Sequence, residues 1–151
     1  MFSMHGLVPG DLDGLTQPAL AMSSPLVTGE KQGDGLLKMD QVLNLKLNAD
    51  WVVLSACNTA AGSGRDTEAV SGLGRAFFYA GARAMLVSNW PVDTVSSRIL
   101  MVDLFKRQQE KKIGKPEALR QSELELADKG GTSGYAYAHP LFWAPFVVIG
   151  D

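Results

Sequence analysis

The stretch that decides the fold is Trp51-Val52-Val53-Leu54-Ser55-Ala56-Cys57-Asn58-Thr59-Ala60-Ala61-Gly62. It begins as an apolar, β-branched run and ends in small and polar residues, which is the profile of a buried strand that ends at a sheet edge. Cys57, the single cysteine of the chain, lies where this strand ends. Because ligands of open parallel sheets bind outside the carboxyl ends of the strands, this position predicts a functional site.

Length and composition predict one domain that spans residues 1–151. The chain has 46% hydrophobic and 20% charged residues, as ordinary globular proteins have. Its net charge of −2 gives no reason to expect nucleic acid or an anionic membrane as a partner. No apolar run approaches the roughly 18 residues of a spanning helix. A single cysteine forms no intrachain disulfide, and the first residues lack the features of a signal peptide, so we expect a cytoplasmic protein.

Helical spacing of apolar residues recurs in three segments, which are residues 68–79, 94–112 and 117–128. In the second and third segments this spacing assigns Val102 and Leu124 to buried faces, and Asp93 or Thr94 is suited to cap the second. Nearer the amino terminus, two short runs have the pattern of β-hairpin arms, namely residues 19–22 and 35–38.

A second apolar run, residues 84–87, ends at Ser88 and has the same profile as the first. Since strands alternate with helices along the chain, the pattern predicts an α/β fold with a mainly parallel sheet. Right-handed crossovers then place the loops after Cys57 and after Ser88 at the same edge of that sheet.

His5 and Cys57 each follow a short apolar run, and their side chains converge if the two runs are neighbouring parallel strands. A thiol is a poor nucleophile until it loses its proton, and a nearby imidazole accepts that proton or stabilises the thiolate. The backbone N–H groups of Gly6 and Cys57 can form an oxyanion hole, in which one donor is typically worth roughly 3–4 kcal/mol. The arrangement predicts nucleophilic catalysis by Cys57 with His5 as its base.

Each of these assignments has an alternative. A lone cysteine is more often a buried small apolar residue than a nucleophile. His139, which precedes Pro140, is either a rival base or a residue that holds its loop in place. A metal site is not expected, because the chain has no Cys-X-X-Cys motif and its two histidines are far apart in sequence.

Two loops carry further candidates. Residues 62–67 resemble an anion-binding turn before a helix, but they lack the Gly-Lys-Ser/Thr ending of a P-loop. Ser88, Asn89 and Trp90 are placed to line a substrate pocket beside Cys57, and packing of Trp90 against the next helix is the equal alternative.

Taken together, the sequence resembles a CHAT domain, the caspase-like cysteine peptidase domain often attached to helical TPR repeats. The resemblance covers nearly the whole chain, and the order of its segments is more specific than any one of them. They are Met4-His5-Gly6-Leu7 with residues 17–20; Leu54-Ser55-Ala56-Cys57-Asn58-Thr59-Ala60; Gly72-Leu73 with Phe77, residues 80–82 and Ser88-Asn89-Trp90-Pro91-Val92; and His139-Pro140 with Trp143-Ala144 and residues 149–151.

The resemblance implies a caspase-like, three-layer α/β/α fold in which His5 and Cys57 are the catalytic dyad and Cys57 forms a thioester with a protein or peptide substrate. It implies that the N–H groups of Gly6 and Cys57 hold the oxyanion. It further implies that Ser88, Asn89, Trp90 and Asp93 contribute to the pocket for the side chain that precedes the scissile bond. The resemblance implies no cofactor, but it does imply a TPR-containing region or partner.

The sequence departs from the family pattern in two ways. The strands that the family has before the histidine are missing, so the chain resembles the carboxyl-terminal portion of the domain. An exposed sheet edge would follow, and with it self-association into a homo-oligomer or completion by a partner. Related separases have an acidic residue, suited to arginine, directly after the matching tryptophan. Here that residue is Pro91, so arginine specificity is not predicted despite the nearby Asp93.

The leading hypothesis is therefore a cysteine endopeptidase that acts on protein substrates. The alternative is a catalytically inactive, caspase-like interaction or signalling module. A weaker third hypothesis is a domain that binds small anions through residues 62–67.

Overall fold

Two small sheets and six helices make up the part of the chain that the computed structural model describes, namely residues 5–29, 33–54, 65–129 and 137–150, with the backbone alone for 65–71 and 129. In chain order the elements are β1 (Gly6–Leu7), β2 (Ala19–Ala21), α1 (Pro25–Thr28), β3 (Leu36–Lys38), α2 (Met39–Leu43), β4 (Val52–Leu54), α3 (Arg65–Tyr79), β5 (Ala84–Ser88), α4 (Thr94–Lys111), α5 (Lys115–Lys129), α6 (Pro140–Trp143) and β6 (Phe146–Gly150).

The central sheet has the order β4-β5-β6. Strands β4 and β5 are parallel, with Val53 opposite Leu86, whereas β5 and β6 are antiparallel, with Leu86 opposite Val148. The alternation of strands and helices is confirmed, but the mainly parallel sheet is not. Among the described strands, β4 and β5 are the only neighbours that run in the same direction.

The antiparallel direction of β6 follows from the helices that precede it. Helices α4 and α5 form a hairpin, because Arg107 on α4 contacts both Gln121 and Glu125 on α5. The turn between them begins at Lys112, which has the left-handed conformation with φ 52°. The chain therefore leaves one edge of the sheet in α4 and returns in α5, so that β6 begins where β5 ends. The apolar pattern of β6 alone does not indicate this direction.

Both faces of the central sheet are covered by apolar side chains. Because successive residues of a strand point to opposite faces, Val52 and Leu54 lie on one face and Val53 lies on the other. The first face packs against α2 and α3 in a cluster formed by Leu20, Val42, Val52, Leu54, Leu73, Ala76, Phe77, Ala82, Met85 and Val87. The second face packs against α4 and α5 in a cluster formed by Val53, Leu86, Leu100, Met101, Leu104, Ala118, Leu119, Leu126, Tyr137 and Phe146.

The second sheet is antiparallel and has the order β1-β2-β3. The predicted hairpin is confirmed, since Ala19 of β2 lies opposite Lys38 of β3. Leu20 of β2 is fully buried in the first apolar cluster together with Leu54 of β4. This contact attaches the small sheet to the same core as the central sheet.

Two side chains that the helical spacing assigned to the core are exposed instead. Val102 on α4 is 64% exposed and Leu124 on α5 is 48% exposed. The buried stripe of α4 consists of Leu100, Met101 and Leu104, because α4 packs against both the sheet and α5. The single sequence contains two overlapping apolar stripes, and packing selects one of them.

We predict that Ser122→Ala raises the free energy of unfolding by about 1 kcal/mol. Ser122 is only 1% exposed, and among the described residues its hydroxyl has no hydrogen-bond partner, so the alanine removes an uncompensated desolvation cost. Urea unfolding at constant pH measures the change. The matched control is Ser97→Ala, which should be destabilising because the Ser97 hydroxyl donates to the Asp93 carbonyl at 2.6 Å. A Ser122→Ala chain less stable than wild type would contradict the prediction.

We also predict that the domain loses stability between pH 5 and pH 8 through Glu123. Burial of this half-buried carboxyl raises its pKa from 4.5 to about 7. The folded state holds the proton more tightly than the unfolded chain, so the stabilisation is complete below about pH 4.5 and is lost as the pH rises through about 7. Glu123→Gln should flatten the dependence of unfolding free energy on pH.

Glu117 on the same helix provides the control for this experiment. Hydrogen bonds from Arg120 and Gln121 lower the pKa of Glu117 from 4.5 to about 2, so its carboxylate stays ionised from pH 5 to pH 8. Glu117→Gln should therefore leave the slope in this range unchanged. Equal slopes for wild type and Glu123→Gln would show that Glu123 is not the titrating group.

Candidate active site

The carboxyl ends of β4 and β5 lie at one edge of the central sheet, because the strands are parallel and Leu54 lies opposite Val87. The predicted shared edge is therefore confirmed for the two strands. Cys57, three residues beyond β4, lies outside the described residues, as do Gly62 and the two residues that follow it. Residues 65–67 of the predicted anion-binding turn belong to the first turn of α3, and the assignments of Cys57 and of residues 62–64 stay predictions.

His5 lies immediately before β1, and its side chain is exposed to solvent. Its carbonyl oxygen accepts a hydrogen bond of 2.9 Å from the N–H of Ala21. The strand beside His5 therefore belongs to the small antiparallel sheet through β2. The expected strand before His5 lies in residues 1–4, outside the described residues, and the pairing of His5 with Cys57 remains a prediction.

The register of β1 determines where the amide of Gly6 points. In an antiparallel ladder, residue pairs alternate between exchanging backbone hydrogen bonds and directing them away from each other. The bond from Ala21 to His5 places Gly6, which lies opposite Leu20, in a pair of the second kind. The N–H of Gly6 is consequently directed away from β2.

The first three residues of the loop of residues 88–93 are joined to the carboxyl-terminal segment. Ser88 is fully buried and pairs with Phe146 at the end of the ladder. The Asn89 N–H donates to the carbonyl of Pro145 at 2.8 Å. The indole N–H of Trp90, whose side chain is half-buried, donates to the carbonyl of Leu141 at 3.1 Å. The position of this loop therefore depends on residues about fifty positions later in the chain.

Asp93 is the N-cap of α4. Its Oδ1 atom accepts hydrogen bonds from the N–H groups of Val95 at 3.1 Å and Ser96 at 2.8 Å. Its carbonyl oxygen also accepts from the hydroxyls of Ser96 and Ser97. Of the two predicted caps, Asp93 is the one observed. The Asp93 side chain, which the sequence analysis assigned to a substrate pocket, thus caps a helix in the described part of the chain.

His139 caps the short helix α6. Its Nδ1 atom accepts a hydrogen bond of 3.1 Å from the N–H of Leu141, and Pro140 occupies the first helical position. This supports the interpretation of His139 as a residue that holds its loop in place. The His139-Pro140 pair is the sequence signal for this cap, because proline suits the first position of a helix.

Aromatic side chains hold α6 against the rest of the domain. The rings of Tyr137 and Phe142 contact each other edge to face with centroids 5.0 Å apart. The indole N–H of Trp143 donates to the carbonyl of Ala138 at 3.0 Å. Phe142 and Trp143 also pack against the second apolar cluster. Helix α6, which provides the acceptor for Trp90, is therefore a fixed element.

Within residues 5–29, 33–54, 65–129 and 137–150, no three His, Cys, Asp or Glu side chains are grouped as they would be around a metal ion. A search of the same ranges finds no helix with the length and apolar character needed to cross a membrane.

Comparison with known proteins gives one family and two similar relatives. Residues 2–151 match the family model of the CHAT domain. Tetratricopeptide repeat protein 28 of Mus musculus is 34% identical to this chain over 118 residues, which are 77% of this chain and 4% of that protein. The protein of the same name from Homo sapiens is 34% identical over 117 residues, with the same two shares. The chain thus corresponds to a small part of these curated relatives.

We predict that Asp93→Ala lowers the free energy of unfolding by about 1 kcal/mol, because it removes the side chain that caps α4. Asp93→Asn should cost clearly less, since the amide oxygen can accept the same backbone N–H groups. Urea unfolding of the two variants and wild type measures the difference. Equal losses for alanine and asparagine would mean that the charge of Asp93, and not its hydrogen-bonding oxygen, stabilises the helix.

Proposed function

The chain belongs to the CHAT domain family, which is caspase-like and related to cysteine peptidases, and from this premise we propose that it is a cysteine endopeptidase. In this proposal Cys57 is the nucleophile, His5 is the base, and a protein is the substrate. The N–H groups of Gly6 and Cys57 hold the oxyanion, and the loop of residues 88–93 lies beside the substrate.

The reaction proceeds in two halves. The Cys57 sulfur attacks the peptide carbonyl carbon while His5 takes the thiol proton, and the oxygen of the tetrahedral intermediate accepts the two backbone hydrogen bonds. The C–N bond then breaks, His5 gives its proton to the leaving amine, and a thioester remains. Water attacks the thioester with His5 as base, the C–S bond breaks, and the carboxylic acid product leaves with the thiol restored.

The observation that carries the proposal is the geometry of His5 and Gly6. The imidazole of His5 is exposed, and the carbonyl of the same residue is held by Ala21. The amide of Gly6 is directed away from β2, so pairing with β2 does not use the donor that the oxyanion hole requires. A base and a backbone donor thus stand next to each other at the end of a paired strand.

The apolar core supports a common site for both halves of the dyad. Leu20, opposite Gly6, and Leu54, three residues before Cys57, are buried in the same cluster. The strand that pairs with β1 and the strand that leads to Cys57 are therefore attached to one packed core. A reducing compartment keeps a single thiol in its reduced form, and for this reason we propose a cytoplasmic protein.

One observation favours the alternative function, a caspase-like interaction module without turnover. The relatives are named for tetratricopeptide repeats and not for a peptidase activity. A tetratricopeptide repeat region is accordingly the neighbour or partner that we propose for this domain. The two functions differ in whether the Cys57 thiol is activated.

The test uses the fact that Cys57 is the only cysteine of the chain, so alkylation by iodoacetamide reports on it alone. If the thiol is activated, the alkylation rate plotted against pH should have its inflection at least about one pH unit below the pKa of a free cysteine, which is about 8.5. His5→Ala should move the inflection upward, whereas His139→Ala should not. Cys57→Ala should abolish cleavage of fluorescently labelled casein while cooperative unfolding is retained.

The opposite results separate the two functions. The interaction module would be supported if the pH profile of the alkylation rate had its inflection near the pKa of a free cysteine and did not change in His5→Ala. A shift caused by His139→Ala alone would make His139 the base and would contradict the assigned dyad.

A further inference from the structure

The loop of residues 88–93 contains an aromatic side chain, that of Trp90, which combines partial exposure with a fixed orientation. The indole of Trp90 is half-buried, and its N–H is engaged by the carbonyl of Leu141 at 3.1 Å. The polar atom of the ring is therefore already satisfied, and the ring surface that remains for a ligand is apolar. Trp90 is the only aromatic residue of the loop.

The partner of Trp90 does not move independently of the domain. Leu141 lies in α6, which is capped by His139 and packs against α4 and α5. On the other side of Trp90 in the chain, Val92 packs against the second apolar cluster. The ring is thus held at its N–H and by the backbone that follows, as a preformed wall must be.

The only charged residue of the loop is committed to the helix that follows. Asp93 Oδ1 accepts from two backbone N–H groups at the first turn of α4, and the positive end of the helix offsets the negative charge. Recognition of a guanidinium group uses both oxygens of a carboxylate in a bidentate pair. The capping geometry therefore occupies Asp93 in a way that disfavours this kind of recognition.

We propose that Trp90 is the specificity-determining residue of the site, and that it selects an uncharged, apolar side chain before the scissile bond. Asp93 is then a positioning residue, which fixes the end of the loop and does not contact the substrate. This inference rests on the proposed peptidase function and names the substrate class of that site.

The inference can be tested without turnover, by peptide binding to the full chain that carries Cys57→Ala. The probes are two acetylated tetrapeptide amides, Ala-Ala-Ala-Leu and Ala-Ala-Ala-Arg, titrated against ¹⁵N-labelled protein. The chain has three tryptophans, so the indole N–H signal of Trp90 can be identified by its loss in Trp90→Phe. We expect the leucine peptide to shift this signal and to bind about tenfold more tightly than the arginine peptide.

Variants assign the preference to a side chain. Trp90→Ala should reduce the tenfold preference to within about twofold, whereas Trp90→Phe should retain most of it because the ring is kept. Trp51→Phe, at the start of β4 and away from the loop, is the matched control and should retain the preference. Asp93→Asn keeps the cap without the charge, and the ratio of the two affinities should change by less than about twofold.

Three outcomes would overturn the inference. They are tighter binding of the arginine peptide that Asp93→Asn removes, a leucine preference that survives Trp90→Ala, and no shift of the Trp90 signal by either peptide at millimolar concentration. Failure of the proposed function shows in a different measurement, since the alkylation experiment reports on activation of Cys57 and needs no peptide.

Discussion

The parallel pairing of β4 and β5 is the constraint on which the rest of the structure depends. Both strands are buried on both faces, so the chain must supply apolar cover twice, from α2 and α3 on one side and from α4 and α5 on the other. The two strands end together, at Leu54 and Ser88. The loop of residues 88–93 therefore starts at the edge of the sheet where β4 also ends.

The small sheet and the carboxyl-terminal segment are attached to the rest of the domain by different kinds of contact. The small sheet is attached through the side chain of Leu20, and its register directs the amide of Gly6 away from β2. The carboxyl-terminal segment is attached through backbone carbonyls, those of Pro145 and Leu141, which hold Asn89 and Trp90. One group is placed by apolar packing and the other by hydrogen bonds.

The sequence predicts the secondary-structure elements better than it predicts how they are arranged relative to one another. The strands at residues 52–54 and 84–88, the hairpin and the cap at Asp93 follow from local patterns, because a continuous apolar run or a capping side chain acts within a few residues. The direction of β6 and the exposure of Val102 depend on contacts between distant helices, which no local pattern contains. The candidate residues Ser88 and Trp90 were recognised in sequence, but the acceptors that hold the loop are backbone atoms. Backbone acceptors have no residue-type signature.

Dependence of the 88–93 loop on Leu141 and Pro145 has a consequence for biosynthesis. The chain is made from the amino terminus, so His5, Cys57 and the loop leave the ribosome before the carbonyls that hold Asn89 and Trp90 exist. A nascent chain that ends before residue 141 lacks both acceptors and the β6 partner of Ser88. The support of the loop is therefore completed late in synthesis, and a premature stop before residue 141 removes the acceptors of both Asn89 and Trp90.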